Sequence, residues 1–145
     1  ATLKDFDWWS GLSVNDARRA LEMVRSDLAS EIVEGKTYWF SEANSATKES
    51  AFLLPAYDEF IISYKDRSAT ITFENHKRAV SINGIFRPTV VVNGKTTGVW
   101  KRTIKKDKVF IEINYFTKPG SATRKMIDSA SVFYGKFLEK KVELS

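Results

Sequence analysis

The residues with the clearest chemical potential are basic side chains clustered between Phe86 and Lys108. This stretch has seven basic residues and only Asp107 as an acid, so its net charge is +6 within a chain of net charge +5. The basic residues are Arg87, Lys95, Lys101, Arg102, Lys105, Lys106 and Lys108. On a two-stranded ribbon such cations can contact phosphates and displace counterions, which favours nucleic acid as a partner. The alternative is a solvated sheet edge that its lysines protect from aggregation.

Tryptophans and a second group of arginines extend this hypothesis. Trp100 stands beside the ribbon cations Lys101 and Arg102 and is the tryptophan best placed to stack on a base, whereas spacing favours the core for the other three, Trp8, Trp9 and Trp39. A helix after Ser13 would present Arg18, Arg19 and Arg25 to a DNA groove. Glu22 offers the alternative of ordinary ion pairing with Arg18 four residues earlier.

The remaining polar residues do not form a catalytic or metal-binding pattern. Asp58 and Glu59 are adjacent, so their side chains diverge and cannot act as an acid and base pair. Together with Asp66 and Arg67 they are interpreted as structural salt-bridge and capping residues. His76, the one histidine, falls in a predicted polar loop at 75–78, and the chain has no cysteine. We therefore expect no catalytic residue, no metal and no cofactor.

Composition favours a folded, soluble, cytoplasmic protein. The chain has 145 residues, of which 43% are hydrophobic, and this is enough for a packed core. The absence of cysteine fits a reducing compartment, and no apolar run approaches the length needed to span a bilayer, so no membrane partner is expected. Because the chain opens at Ala1 and enters a helical pattern almost at once, we expect an upstream portion to be missing.

Two helices and a hairpin are predicted at the start of the chain. Thr2 and Asp5 form a variant of the capping box, and the first helix should stop at Ser10 and Gly11. Ser13 should cap a second helix with an apolar stripe that continues to Leu28. The segment EIVEGKTYWF then predicts two strands about a Glu34-Gly35 turn. Residues 1–42 thus have the pattern of a helix-turn-helix and wing, the C-terminal part of a winged-helix unit.

The rest of the chain predicts an antiparallel β-barrel or curled sheet closed by a C-terminal helix, over residues 46–145. Ser41–Ser50 is polar and marks the boundary. The Asn93-Gly94 pair is the strongest hairpin signal, because both positions of a type I′ turn need positive φ. The fold class is α+β. The predicted strands are 69–73, 79–82, 85–92, 96–104 and 109–113, the segment 59–64 is a strand or a short helix, and the last helix starts with Ser121 as its cap and includes Leu138.

Several sequence blocks in combination resemble a known family. They are ATLKDFDWWSGLSVNDARRALEMV, GKTYWF, LLPAYDEFIISYKDRS and NGIFRPTVVVNGKTTGVWKR. Together they resemble the C-terminal part of winged-helix DNA-binding proteins that include AlkZ-like DNA glycosylases, which unhook interstrand crosslinks and excise alkylated bases. The resemblance covers roughly residues 1–113. It implies tandem winged-helix units scaffolded by a β-barrel, with the N-terminal winged-helix region of the same protein as a partner of this chain.

The resemblance implies binding of double-stranded DNA without catalysis by this chain. The family's catalytic pair of glutamines lies in an N-terminal region, and this chain contains no glutamine. The full-length protein would then be a DNA glycosylase while this part acts as its scaffold. The alternatives are a winged-helix transcription regulator that is not an enzyme, and a purely structural or ligand-binding module.

Overall fold

The computed structural model describes residues 1–41 and 49–144. These residues form two compact units. The first contains residues 1–41 and Glu59–Asp66, and the second contains residues 49–58 and 67–144. The chain therefore leaves the second unit after Asp58 and returns to it at Arg67. Most of the boundary predicted in Ser41–Ser50 lies outside the described residues.

The first unit contains the predicted pair of helices and a two-stranded hairpin. Thr2 and Asp5 form a complete capping box, and Gly11, with φ of 70°, ends the first helix. The second helix is shorter than predicted, because a 3-10 turn at Arg25–Asp27 replaces its last turn before Leu28. The elements are α1 (Leu3–Ser10), α2 (Val14–Val24), β1 (Ala29–Val33), β2 (Lys36–Phe40) and α3 (Glu59–Ile62).

The second unit is a five-stranded sheet with the order β3-β4-β5-β6-β7. Its predicted hairpin is confirmed, since Asn93 and Gly94 adopt φ of 48° and 75° at the turn between the second and third of these strands. The first four strands are antiparallel, as predicted. The elements are β3 (Ala51–Leu54), α4 (Phe73–Ala79), β4 (Thr89–Val92), β5 (Lys95–Ile104), β6 (Lys108–Tyr115), α5 (Ser121–Phe137) and β7 (Lys141–Leu144).

The last strand departs from the predicted meander. β7 pairs with β6 in parallel, from Lys108 opposite Lys141 to Ile111 opposite Leu144. Parallel neighbours need a crossover connection, and α5 supplies it. The start of β7 is thereby placed beside the start of β6.

Two predicted strands are wrong. The segments 69–73 and 79–82 flank α4 and share only its first and last residues, and Val80 makes only an isolated bridge to Phe86. Glu74 in the first turn and basic residues in the last turn of α4 suit the helix dipole. His76 consequently lies in a helix rather than in a loop. The predicted cap of α5 is also wrong by one residue, because the N-cap is Gly120 and not Ser121.

The core of the second unit lies between the sheet and α5. Alternate residues of β4, β5 and β6 face Ile127 of the helix, as period-two patterning predicts. The buried cluster is Val90, Val92, Trp100, Val109, Ile111 and Ile127. Over residues 1–41 and 49–144, no helix has the length and apolar character required to cross a membrane.

Candidate nucleic-acid interface

The cations of β5 are divided between the two faces of the sheet. Arg102 is paired with Ile111 and lies on the α5 face, where its guanidinium donates to Tyr134 Oη and sits 5.6 Å from the centre of that ring. Lys101 projects from the opposite face, and its Nζ lies 2.9 Å from Glu112 Oε2 on β6. Neighbouring residues of a strand point to opposite sides, so these two cations do not form one surface.

Lys95 lies apart from the other predicted cations, and Arg87 shares a pocket with only one of them, Lys101. Lys95, at the start of β5, donates from Nζ to the carbonyl oxygen of Ala69 at 2.6 Å. Arg87 is exposed and lines a pocket of 580 Å³ with Lys101 and Glu112. The predicted ribbon therefore does not present its seven cations together.

Five lysines converge at the end of the sheet where β5 turns into β6. The turn is closed by Lys105 N–H donating to the Lys108 carbonyl at 2.8 Å. β7 joins it, because Lys141 N–H donates to the Asp107 carbonyl at 3.1 Å and Lys140 Nζ donates to the Lys106 carbonyl at 2.6 Å. We call this group the lysine end, and its members are Lys105, Lys106, Lys108, Lys140 and Lys141.

Neutralisation within the lysine end is partial. Lys108 forms an ion pair with Glu143, and Lys105 Nζ lies 5.1 Å from the centre of the Phe110 ring. Among the described residues, no carboxylate lies within ion-pair distance of Lys105, Lys106 or Lys141. All three are exposed. They are the cations of this surface that remain available to an anion.

Lys140 and Lys141 were missed by sequence reasoning. They are distant from the ribbon in sequence and reach it only through the α5 crossover and the parallel pairing of β7. Alternation of Val142 and Leu144 after a helix is the signal of a short strand that was overlooked.

Trp100 is not available to stack on a base, contrary to the prediction. It is only 6% exposed, its Nε1 donates to the Leu54 carbonyl at 2.8 Å, and it meets the Tyr134 ring edge to face at 5.3 Å. Its side chain belongs to the core. The expectation that Trp8 and Trp9 are core residues is also wrong, because they are 50% and 60% exposed.

The arginines of the α2 segment are mostly engaged with acids of their own helix. Arg19 lies 3.9 Å from Asp16, and Arg25 lies 3.3 Å from Glu22 with its guanidinium 5.5 Å from the Trp39 ring. Glu22 thus pairs with Arg25 rather than with Arg18 as expected. Arg18 is exposed. The turn between β1 and β2 begins with Glu34, which adds negative charge at the tip of this hairpin.

The four predicted structural residues lie where the chain passes between the two units. Glu59 Oε2 accepts from Trp9 Nε1 at 3.1 Å and also from Ser63 Oγ. Asp66 accepts a hydrogen bond from Lys36 Nζ, which raises the pKa of Lys36 above its ordinary value. Burial lowers the pKa of Arg67, whose guanidinium lies 5.2 Å from the centre of the Phe86 ring. Asp58 immediately precedes α3.

The described part of the chain offers no metal centre. Within it, no three or more histidine, cysteine, aspartate or glutamate side chains are grouped so that they could hold a metal ion.

Comparison with known proteins assigns the chain to a family of DNA-repair enzymes. The family described as DNA glycosylase AlkZ-like matches residues 1–137, so the chain belongs to the AlkZ-like DNA glycosylase family, as the sequence blocks predicted. No curated protein matches the chain.

A solved structure shares the fold. The chain is similar to Streptomyces sahachiroi DNA glycosylase AlkZ over 100% of its own length, with a TM-score of 0.72 and 19% sequence identity. It spans 42% of the length of that protein. The likeness confirms the mixed α and β architecture with a curled sheet and a C-terminal helix.

Proposed function

We propose that this chain is the duplex-DNA-binding scaffold region of an AlkZ-like DNA-repair protein. In this proposal the lysine end contacts the phosphate backbone, and the chain supplies no catalytic side chain. Residues 1–42 complete a winged-helix unit with an N-terminal region of the same protein, and residues 46–145 form the sheet domain. The reaction of the whole protein, excision of a damaged base, then depends on residues outside this chain.

The observation that carries the proposal is the convergence of lysines from two segments distant in sequence. β7 brings Lys140 and Lys141 beside the turn that holds Lys105 and Lys106. Lysine ammonium groups bind phosphates as mobile point charges and require no precise geometry. The phosphate backbone of DNA is the same whatever the base sequence, so a cluster of exposed lysines is suited to bind it. The chain belongs to a DNA glycosylase family, for which such binding is expected.

Salt dependence of binding tests the role of these lysines. Lys105, Lys106 and Lys141 are replaced together by glutamine, and binding to a duplex is followed by fluorescence anisotropy at several salt concentrations. If each lysine neutralises one phosphate, the slope of log K against log salt falls by about 0.9 for each, or about 2.7 in all. The matched control replaces the exposed Lys4, Lys65 and Lys77, which lie outside the lysine end.

The control separates a local contact from a general effect of charge. We expect the control to retain nearly the slope of the parent chain. Equal loss of slope in both triple variants would show diffuse attraction and contradict the proposal, as would an unchanged slope in the lysine-end variant.

The same titration distinguishes a scaffold from a sequence-reading regulator. A backbone-binding scaffold should bind two unrelated duplexes of equal length with nearly equal affinity. A regulator that reads bases through α2 should discriminate between a target and a random duplex by about three orders of magnitude or more. Because Arg19 and Arg25 form ion pairs with the α2 acids Asp16 and Glu22, we expect little discrimination.

A further inference from the structure

A tight turn at residues 81–85, between α4 and β4, holds an isoleucine entirely in solvent. Ile82 is fully exposed, and Ile85 at the other side of the turn is also exposed. Single apolar side chains are common on protein surfaces and by themselves indicate no partner. The surroundings of Ile82 therefore decide whether it has one. We call residues 81–85 the Ile82 turn.

The backbone of the Ile82 turn is fixed by hydrogen bonds. Gly84 N–H donates to the Ser81 carbonyl at 3.0 Å, and Gly84 has the positive φ of 72° that only glycine adopts without strain. Ser81 N–H donates to the Ile85 carbonyl at 2.9 Å, and Ile85 N–H donates to Ser81 Oγ at 3.0 Å. Ile82 is thus held at the tip of a closed turn.

The base of the Ile82 turn is anchored to the second unit. Val80 and Phe86 form an antiparallel bridge at the point where the two arms of the turn meet. The Phe86 ring lies 5.8 Å from the centre of the Tyr57 ring and 5.2 Å from the guanidinium of Arg67. The tip therefore projects from a packed base, and a partner can engage Ile82 without disturbing the fold.

The Ile82 turn lies at the same end of the sheet as the lysine end. Trp100 N–H donates to the Pro88 carbonyl at 3.1 Å, just before β4 pairs with β5 in antiparallel. The chain before Pro88 consequently lies beside the part of β5 after Trp100, which continues to the lysine end. Arg87 and Lys101 line the same pocket, as this arrangement requires. A single duplex could therefore contact the turn and the lysines together.

The charge around the turn favours a polyanion as its partner. Residues 75–106 contain no aspartate or glutamate. Arg87 is exposed, and among the described residues no carboxylate lies within ion-pair distance of it. Glu112, which lines the pocket with Arg87, is paired with Lys101. An apolar tip among cations matches duplex DNA, in which apolar base stacks lie behind a phosphate backbone.

We propose that the Ile82 turn enters a groove of duplex DNA and that Ile82 wedges between two neighbouring base pairs. Isoleucine is among the side chains that DNA-bending proteins insert in this way, partly unstacking the bases. Asn83, exposed at the same tip, supplies an amide that can bond to base edges. The inference rests on the proposed function, because the lysine end holds the backbone, and it adds that weakly stacked duplexes are the preferred substrate.

A mismatched duplex tests this preference. Two duplexes of equal length carry 2-aminopurine at the same central position, and one of them has a single mismatch beside it. Unstacking costs least at a mismatch, so we expect the full chain to bind the mismatched duplex about tenfold more tightly in fluorescence anisotropy. The fluorescence of 2-aminopurine, which stacking quenches, should rise on binding. Equal affinity for the two duplexes, or unchanged 2-aminopurine fluorescence, would overturn the proposal.

Substitutions at the tip separate the wedge from general binding. Ile82→Ser removes the wedge at a fully exposed position, so Tm should stay unchanged while the preference for the mismatch and the rise in fluorescence are lost. Ile82→Leu keeps an apolar side chain of the same size and should retain both. Ile32→Ser is the matched control, since it makes the same change at an exposed isoleucine of β1. Retained preference in Ile82→Ser, or equal loss in Ile32→Ser, would refute the role of Ile82.

Failure of the wedge and failure of the lysine end give different results. The triple variant at Lys105, Lys106 and Lys141 should weaken binding of both duplexes by the same factor and leave their affinity ratio at about tenfold. A ratio of one with a salt slope that still depends on these lysines refutes the wedge alone. Sedimentation of the chain without DNA covers the other occupant, a second copy. A dimer that Ile82→Ser dissociates would assign the tip to self-association and overturn the proposal.

Discussion

Gly135 controls how closely β7 approaches α5, and through β7 it controls the position of the last two lysines. A Cβ atom at this buried residue would lie 2.2 Å from Val142 Cγ2 and 2.9 Å from the carbonyl oxygen of Lys140. Favourable contacts between carbon atoms need about 3.5 to 4.0 Å. Gly135→Ala therefore requires β7 to move away from the helix.

Two opposing effects set the size of the change. Alanine in a helix interior is favoured over glycine by about 1 kcal/mol. Overpacking of a filled site costs about 1–3 kcal/mol, and the upper part of this range applies because one obstructing atom belongs to the backbone and cannot rotate aside. We expect Gly135→Ala to lower the free energy of unfolding by about 1–2 kcal/mol.

Urea denaturation of a double-mutant cycle measures this effect. Val142→Ala removes the shorter contact, so the double variant should be more stable than the sum of the single changes predicts, by about 0.5–1 kcal/mol. Displacement of β7 should also weaken duplex binding, since Lys141 starts this strand. A Gly135→Ala variant that is more stable than the parent chain would refute the reasoning. It would show that the gain in helix propensity exceeds the cost of overpacking against β7.

Two further predictions concern the end of α5 and the end of β6. Glu139 follows α5 with φ of 54°, a left-handed conformation that favours glycine. Glu139→Gly should therefore raise the free energy of unfolding, measured by urea denaturation, by up to about 1 kcal/mol. Glu139→Ala removes the same charge and should give no gain. Burial, followed by the charge of Asp128, raises the pKa of Tyr115 above its ordinary value of 10.0, so the stability present below pH 10.0 is lost as the pH rises through the higher folded pKa. Tyr115→Phe should therefore reduce the loss of stability in urea titrations between about pH 9 and about pH 11, and an equal loss in both proteins would contradict this. A residual loss is expected from Lys36, whose raised pKa acts in the same direction.

Local signals in the sequence predicted local structure well. The capping box of Thr2 and Asp5 fixes the start of α1, and the Asn93-Gly94 pair fixes the pairing of β4 and β5 next to the turn, because each depends only on residues within one turn. Beyond Val91 the register shifts by one residue at a bulge, which the turn does not determine. The alternation that buries Val109 and Ile111 of β6 is also a local pattern. These features need no information from distant parts of the chain.

The structural features that the sequence did not predict depend on distant contacts or on short ambiguous segments. α4 is only seven residues long, and the short apolar runs that predicted strands at 69–73 and 79–82 lie mostly on either side of it. The alternation of Val142 and Leu144 indicates β7 as a strand, but no local pattern reveals that it pairs in parallel with a strand more than thirty residues earlier. The placement of Trp100 in the core follows from packing against Tyr134 and could not be read from its basic neighbours.

The distribution of cations sets a measurable limit on DNA binding by this chain. A ribbon with seven free cations, as counted in the sequence, would give a salt slope of about 6, because each phosphate contact adds about 0.9. The fold instead sends Arg102 to the α5 face and gives Lys101 and Lys108 the partners Glu112 and Glu143, both of which lie on other strands. The three lysines of the lysine end that have no ion-pair partner among the described residues predict a slope of about 2.7, so the slope of the unaltered chain alone decides whether the sequence count or the folded arrangement governs its contact with DNA.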